Sequence, residues 1–232
     1  MNFTRDKTGR AGGLTVFTVM LGLQFYHFPR EIWSLSFIRW FLITFLFILF
    51  FSAYIIRSKA KQNASGWIEI LLPLFCASLP ILLIWIPQFV YKYGPLQLNN
   101  HDIWQRSIRV YTDNYVIHGL IIMAIGELIT VIGMMSLKRS FSILTEVRNL
   151  VTTGIYRYIR HPLYCGEMLS VIGMMLLCPS IWMSIGGSLF LSFQAFRAKV
   201  EERKLTKEYP EYVNFKKATG FLWPKWPGFK PL

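Results

Sequence analysis

Tyr115-Val-Ile-His-Gly-Leu-Ile-Ile-Met-Ala-Ile-Gly-Glu-Leu-Ile-Thr-Val-Ile-Gly-Met-Met-Ser-Leu137 is an apolar run broken by one acid, Glu127, near its middle. About 20 such residues in a helix cross a hydrocarbon core of about 30 Å. Similar runs lie on both sides, at 14–28, 33–56, 67–91, 163–178 and 180–196. The first and fifth are short, so the pattern gives six transmembrane helices, with five as the alternative. The chain has 232 residues, of which 53% are hydrophobic and 16% aromatic, and its mean hydropathy is +0.39. The expected fold is an all-α, multi-pass integral membrane protein.

The formal net charge of +13 invites a nucleic-acid reading, but its distribution argues for topology instead. Lys and Arg number 3 in 5–10, 3 in 57–61, 5 in 138–160 and 9 in 197–230, against 5 in 30–39 and 92–109 combined. Six spans with both termini cytosolic put the rich segments on one side, as the positive-inside rule requires. Some of these cations also suit anionic lipid headgroups. No basic–aromatic nucleic-acid module is visible, so no nucleic-acid partner is expected.

Arg5, Lys7 and Arg10 before an apolar run resemble a signal peptide, yet Leu23–Pro29 offers no small-residue cleavage site. The expectation is a retained first helix. Cys76, Cys165 and Cys178 form no CxxC pair and sit near apolar runs. They read as small buried hydrophobes, and no metal site is expected.

Pro73, Pro80 and Pro87 recur every seven residues in the third span, which predicts a kinked helix. Residues 92–114 read as an exposed connector with a short amphipathic piece around 103–110. In the 138–160 linker, Ser140–Glu146 suits a short strand or a surface segment, and Thr152-Thr-Gly154 is a turn signal. Cys178-Pro-Ser180 reads as a tight hairpin between the last two spans. Beyond Arg197 the chain becomes polar and helical until Pro210, and the Pro/Trp-rich tail suits a membrane interface.

Chemistry concentrates in Gly154-Ile-Tyr-Arg-Tyr-Ile-Arg-His-Pro-Leu-Tyr-Cys-Gly-Glu167. Pro162 fits the first turn of a helix, where its lack of an N–H costs nothing. Tyr156, His161 and Tyr164, with glycines for close approach, outline a pocket suited to a planar base with a polar tail. Downstream, Gln194, Arg197, Glu201 and Lys204 share one helix face. That face is either a solvated salt-bridged surface or a charged wall opposite His161, and the short hairpin favours the wall.

Leu150-Val-Thr-Thr-Gly-Ile-Tyr-Arg-Tyr-Ile-Arg-His-Pro-Leu-Tyr-Cys-Gly166, followed by Arg197-x-x-x-Glu201-Glu202, resembles the isoprenylcysteine carboxyl methyltransferases. Their wider group includes phospholipid N-methyltransferases. The resemblance spans roughly residues 138–222, while the earlier part matches only as generic membrane helices. It implies an S-adenosylmethionine (SAM) enzyme without a Rossmann domain, and no G-x-G-x-x-G follows a strand in this chain. It divides the chain into a transmembrane scaffold, 1–137, and a membrane-embedded catalytic region, 138–232, with a cytosolic C-terminal cofactor-binding segment. Leu150, Val151, Tyr156, His161, Pro162, Leu163 and Tyr164 fall on positions that contact SAM in the family. Glu201 matches the cofactor-binding glutamate and Arg197 the substrate arginine. Arg148 stands where the family often has histidine, and the acidic run is only Glu201-Glu202.

The reaction implied is methyl transfer from SAM to a lipophilic acceptor that enters laterally from the bilayer, with alignment carrying much of the rate. A prenylcysteine carboxylate is already ionised and would need only Arg197 to hold it. A phospholipid amine or a thiol must lose a proton, which makes Glu167 or Glu202 the candidate base. Alternatives are a sterol-type reductase using NADPH and a non-enzymatic transporter or structural protein. Glu127 and Glu167 are acids at membrane depth, where a carboxyl usually faces the protein interior. Glu127 reads equally as a helix-packing group or a functional one. Oligomeric state is not encoded in any feature of the chain.

Overall fold

The computed structural model describes residues 2–26, 28–29, 34–93, 113–177 and 179–225. Seven α-helices are described: α1 (Asn2–Tyr26), α2 (Leu35–Ile56), α3 (Gly66–Tyr93), α4 (Asp113–Leu137), α5 (Pro162–Leu177), α6 (Ile181–Glu208) and α7 (Tyr212–Ala218). Short 3₁₀ turns occupy Lys138–Ser140 and Gly154–Arg157. No strand occurs among the described residues, only isolated bridges pairing Gln62 with Val147 and Ile159 with Gly220. The connector at 94–112, its expected amphipathic piece, and Cys178 lie outside the described residues.

Each of the six apolar runs falls on one of the six long helices. α4 is long and apolar enough to cross a membrane, while Ala11–Tyr26, Trp40–Ile56, Gly66–Pro80 and Pro162–Leu177 are shorter apolar helical stretches. Ile117, Ile121, Ile125, Leu128, Ile132 and Met135 recur at helical spacing along α4 and are all exposed. A soluble monomer rarely leaves so long an apolar stripe uncovered.

α4 and α5 meet along a seam of glycines. Gly119, Gly126 and Gly133 recur every seven residues, as do Gly166 and Gly173 on the partner. A Cβ at Gly126 would come within 2.6 Å of both the Gly166 carbonyl and the Ser170 amide, and one at Gly173 within 2.6 Å of the Gly119 carbonyl. Only hydrogen at these positions lets the two backbones touch, a packing mode favoured between membrane helices. α1 and α2 are joined by Phe17, Phe50 and Tyr54, with the Tyr54 ring packed against Gly13. α3 meets α6 around Cys76, Leu79 and Phe190.

The linkers gather at one end of these helices. The Ser58 amide donates to the Arg139 carbonyl at 2.8 Å, and Val147 exchanges hydrogen bonds with Gln62, its amide donating at 2.9 Å. Phe141, Ile143, Thr145 and Val147 are buried while the residues between them are not. The 140–146 segment is nonetheless no strand: it bends at 143–145, where the Glu146 amide donates to the Leu144 carbonyl at 2.8 Å, and the neighbouring bridge is at Val147. α3 runs as one helix through Pro73, Pro80 and Pro87.

Candidate functional site

Pro162 opens α5 as its first residue, and the Cys165 amide donates to the His161 carbonyl at 3.0 Å. Gly154 opens the preceding 3₁₀ turn at φ +63°, a conformation that favours glycine, and a Cβ there would meet the Ser136 hydroxyl at 2.5 Å. Together these fix the stretch from Tyr156 to Tyr164 across the ends of α4 and α5.

The C-terminal segment straps this stretch down. The Gly220 amide donates to the Tyr158 carbonyl (3.1 Å), Arg160 to Gly220 (2.9 Å) and His161 to Phe221 (3.2 Å). A Cβ at Gly220 would lie 1.6 Å from the Trp223 carbonyl oxygen. The Arg160 side chain donates to the carbonyls of Lys216, at 2.9 Å, and Thr219.

One cavity holds most of the expected residues. Its wall includes Tyr156, His161, Leu163, Tyr164, Glu167, Arg197 and Glu201, and continues without interruption to Phe17, Leu23, Ile43, Cys76, Pro80 and Phe190. It thus joins a polar, aromatic end to a long apolar one. Leu150 and Val151, half-buried, and Pro162 and Glu202, buried, are not part of this wall.

At the polar end the His161 and Tyr164 rings are parallel, 5.4 Å apart with 3° between their planes. The Tyr164 hydroxyl donates to Glu201 at 2.6 Å. The Arg197 guanidinium lies 4.8 Å over the Tyr164 ring. Arg197 also donates to the Ile143 carbonyl and, at 3.4 Å, to Gln194, and Gln194 donates in turn to Glu167. The face carrying Gln194, Arg197 and Glu201 is therefore a wall opposite His161, not a solvated surface. Arg197 is 5% exposed, and its Nε has no hydrogen-bond partner among the described residues. The Tyr156 hydroxyl is pushed well above its ordinary pKa by burial, then by the charges of Glu201 and Glu167.

Glu202 belongs to a separate ionic cluster. Arg160 Nε approaches it at 2.5 Å, Lys216 Nζ at 2.9 Å and His161 Nε2 at 3.4 Å. Burial pushes its carboxyl up, but His161, Lys216 and Arg160 more than reverse this and hold it at about 2.

Two further polar clusters hold the linkers and escaped sequence reasoning. Lys204 Nζ, buried, reaches Glu69 at 2.5 Å and the carbonyls of Asn63 and Thr145 at 2.8 and 3.0 Å. Glu146 takes Arg148 at 2.6 Å and Arg57 at 3.7 Å. Only Lys204's place on the Arg197 face hinted at either. His118 is exposed near the start of α4. No group of three or more His, Cys, Asp or Glu among the described residues could hold a metal ion.

The chain is 33% identical over 105 residues to protein-S-isoprenylcysteine O-methyltransferase A of Arabidopsis thaliana, a match covering 41% of this chain and 53% of that protein. The chain thus spans about half the length of this curated relative. Residues 114–212, which carry the glycine seam, the Gly154–Glu167 stretch and the Arg197–Glu202 face, match the phospholipid methyltransferase family.

Proposed function

We propose that the protein is an integral membrane methyltransferase that uses S-adenosylmethionine to methylate the carboxylate of a lipophilic acceptor. The observation that carries this reading is the single cavity whose wall runs from Tyr156, His161 and Glu201 to the apolar side chains of α1, α2 and α3. A water-soluble cofactor and a bilayer-borne acceptor need such a two-ended space if their reacting atoms are to meet.

The residues at the polar end fit the cofactor. Glu201 presents a carboxylate to an ammonium or to ribose hydroxyls, and the stacked His161 and Tyr164 offer flat faces to adenine or to the sulfonium. When bound, S-adenosylmethionine supplies an electrophilic methyl group. Arg197, buried on the cavity wall with an Nε–H that has no partner among the described residues, suits an anionic acceptor, since a buried donor without a partner costs free energy until something fills it. Its stacking on Tyr164 and its bond to Ile143 fix its aim.

A second reading, an amine or thiol acceptor, draws support from the match to the phospholipid methyltransferase family. It would need a base, and Glu167 on the cavity wall is placed for it. Glu202 is not, being engaged by three basic side chains.

Six membrane-crossing helices with both termini cytosolic agree with the exposed α4 stripe and with the packing of 57–65, 138–161 and 197–225 at one end. Incubation with methyl-labelled SAM and prenylcysteine, aminophospholipid and thiol acceptors tests the function directly. Label should pass to the prenylcysteine carboxylate as a base-labile ester. SAM binding that is undetectable, while NADPH binds, would replace this reading with the reductase one.

A further inference from the structure

Arg197 is held at the cavity wall through a chain of hydrogen bonds that begins on α2. Its guanidinium donates to the Ile143 carbonyl. The Ile143 amide donates in turn to the Tyr54 hydroxyl at 3.1 Å, a bond between residues 89 apart in sequence. Tyr54 is not on the cavity wall, whereas Ile143 and Arg197 both are. The tyrosine therefore reaches the site only through the two backbone groups of Ile143.

The Tyr54 ring is clamped. It is 1% exposed. Phe17 and Phe141 meet it edge to face, each 5.8 Å away, and the Arg57 guanidinium lies 4.7 Å over it. The ring also fills the space in which Gly13 would carry a Cβ. A ring confined in this way presents its hydroxyl at one point.

Ile143, by contrast, lies where the 140–146 segment bends and joins no strand. The backbone is tied on either side, at Arg139, which accepts from the Ser58 amide, and at Thr145, whose amide donates to the Glu69 carbonyl at 3.2 Å. Between these ties, the bond from its own amide to Tyr54 anchors Ile143. A guanidinium is a rigid planar fork. Fixing one Nη on Ile143 and laying the plane on Tyr164 therefore sets where the Nε–H points.

We propose that Tyr54 is a positioning residue for Arg197: its hydroxyl holds Ile143, and Ile143 sets the aim of the guanidinium into the cavity. The consequence for binding rests on the reading of Arg197 as the cation that holds an acceptor carboxylate. On that reading, α2 takes part in acceptor selection without touching the acceptor.

Tyr54→Phe removes the hydroxyl and keeps the ring. Two measurements on the full chain in detergent test the proposal. The first reads Arg197 without any ligand: the arginine Nε–H resonance that disappears in Arg197→Lys should move in Tyr54→Phe. An unmoved resonance overturns the proposal. The second compares the affinities of N-acetyl-S-farnesylcysteine and its methyl ester, which lacks the charge. Wild type should favour the acid about tenfold, and Arg197→Ala should abolish the preference. Tyr54→Phe should cut it to about threefold by weakening the acid alone, with SAM affinity unchanged, and should add nothing in the Arg197→Ala background. A preference that survives Tyr54→Phe, or acid, ester and SAM all weakened alike, overturns the proposal. A moved resonance in a protein whose wild type binds acid and ester equally would overturn the carboxylate reading and leave the hold of Tyr54 on Arg197 standing.

Discussion

The Tyr164 hydroxyl donates to Glu201 across 2.6 Å, so the first turn of α5 is tied to α6 at the wall of the cavity. The same ring carries the Arg197 guanidinium on its face. One tyrosine thus orients both the proposed cofactor carboxylate and the proposed acceptor cation.

Tyr164→Phe should keep the stacking and lose the hydrogen bond. A bond to a charged group contributes about 1.5–3 kcal/mol. SAM affinity should fall about tenfold as Glu201 loses its orientation, with little change in the acceptor KM. Titration calorimetry reads the first quantity and steady-state kinetics the second; a change confined to the acceptor KM would reassign Tyr164.

Glu201→Ala should abolish SAM binding while the protein stays folded, because Glu201 is only half-buried and its described hydrogen bond comes from the Tyr164 hydroxyl. Unchanged affinity in calorimetry would remove Glu201 from the cofactor site.

Arg197→Ala should lower turnover more than SAM affinity. Arg197→Lys should not rescue it, since an ammonium can neither stack flat on Tyr164 nor reach Ile143 and the acceptor with a fixed fork. Single-turnover rates in the two variants, compared with their SAM dissociation constants, decide this.

Glu202 makes the fold acid-sensitive in a defined window. Its carboxyl sits at about 2 in the folded chain against an ordinary value of 4.5. A depressed acid contributes stability that is fully present above the unfolded value and is lost as pH falls through the folded one. Wild-type melting temperature should therefore drop between about pH 4.5 and about pH 2. Glu202→Gln should start lower at neutral pH and show a shallower drop over that range. Parallel curves for the two proteins would mean that other acids govern the transition.

Gly126→Val should separate α4 from α5, because its side chain would meet backbone atoms of Gly166 and Ser170 that cannot swing aside. Overpacking of this kind costs about 1–3 kcal/mol. The expected result is a lower melting temperature and weaker binding of both ligands, read by thermal unfolding in detergent.

Much of this arrangement was legible in the sequence where a single local rule decides it. Apolar run length located the six long helices, the fixed φ of proline located the start of α5, and helical spacing put Arg197 and Glu201 on one face. The contacts of Lys204 with Asn63, Glu69 and Thr145 join residues far apart in the chain, and no local period encodes them. Glu69 at the start of α3 likewise takes Lys204 and the Ser65 amide, the first of them 135 residues away in the chain. Glu202, next in sequence to Glu201, looked like part of the same acidic pair. A helix turns about 100° between neighbours, and that rotation takes Glu202 off the cavity wall and onto Arg160 and Lys216.

The glycine seam also determines how the molecule can breathe. With backbone pressed on backbone from Gly119 to Gly133, α4 and α5 act as a single slab that has no room to yield. The rest of the cavity wall includes aromatic and aliphatic side chains of α1 and α2, among them Phe17, Ile43 and Phe47, which can change rotamer. A long flexible chain seeking passage would thus find a hinged door on that side and a fixed jamb on the other.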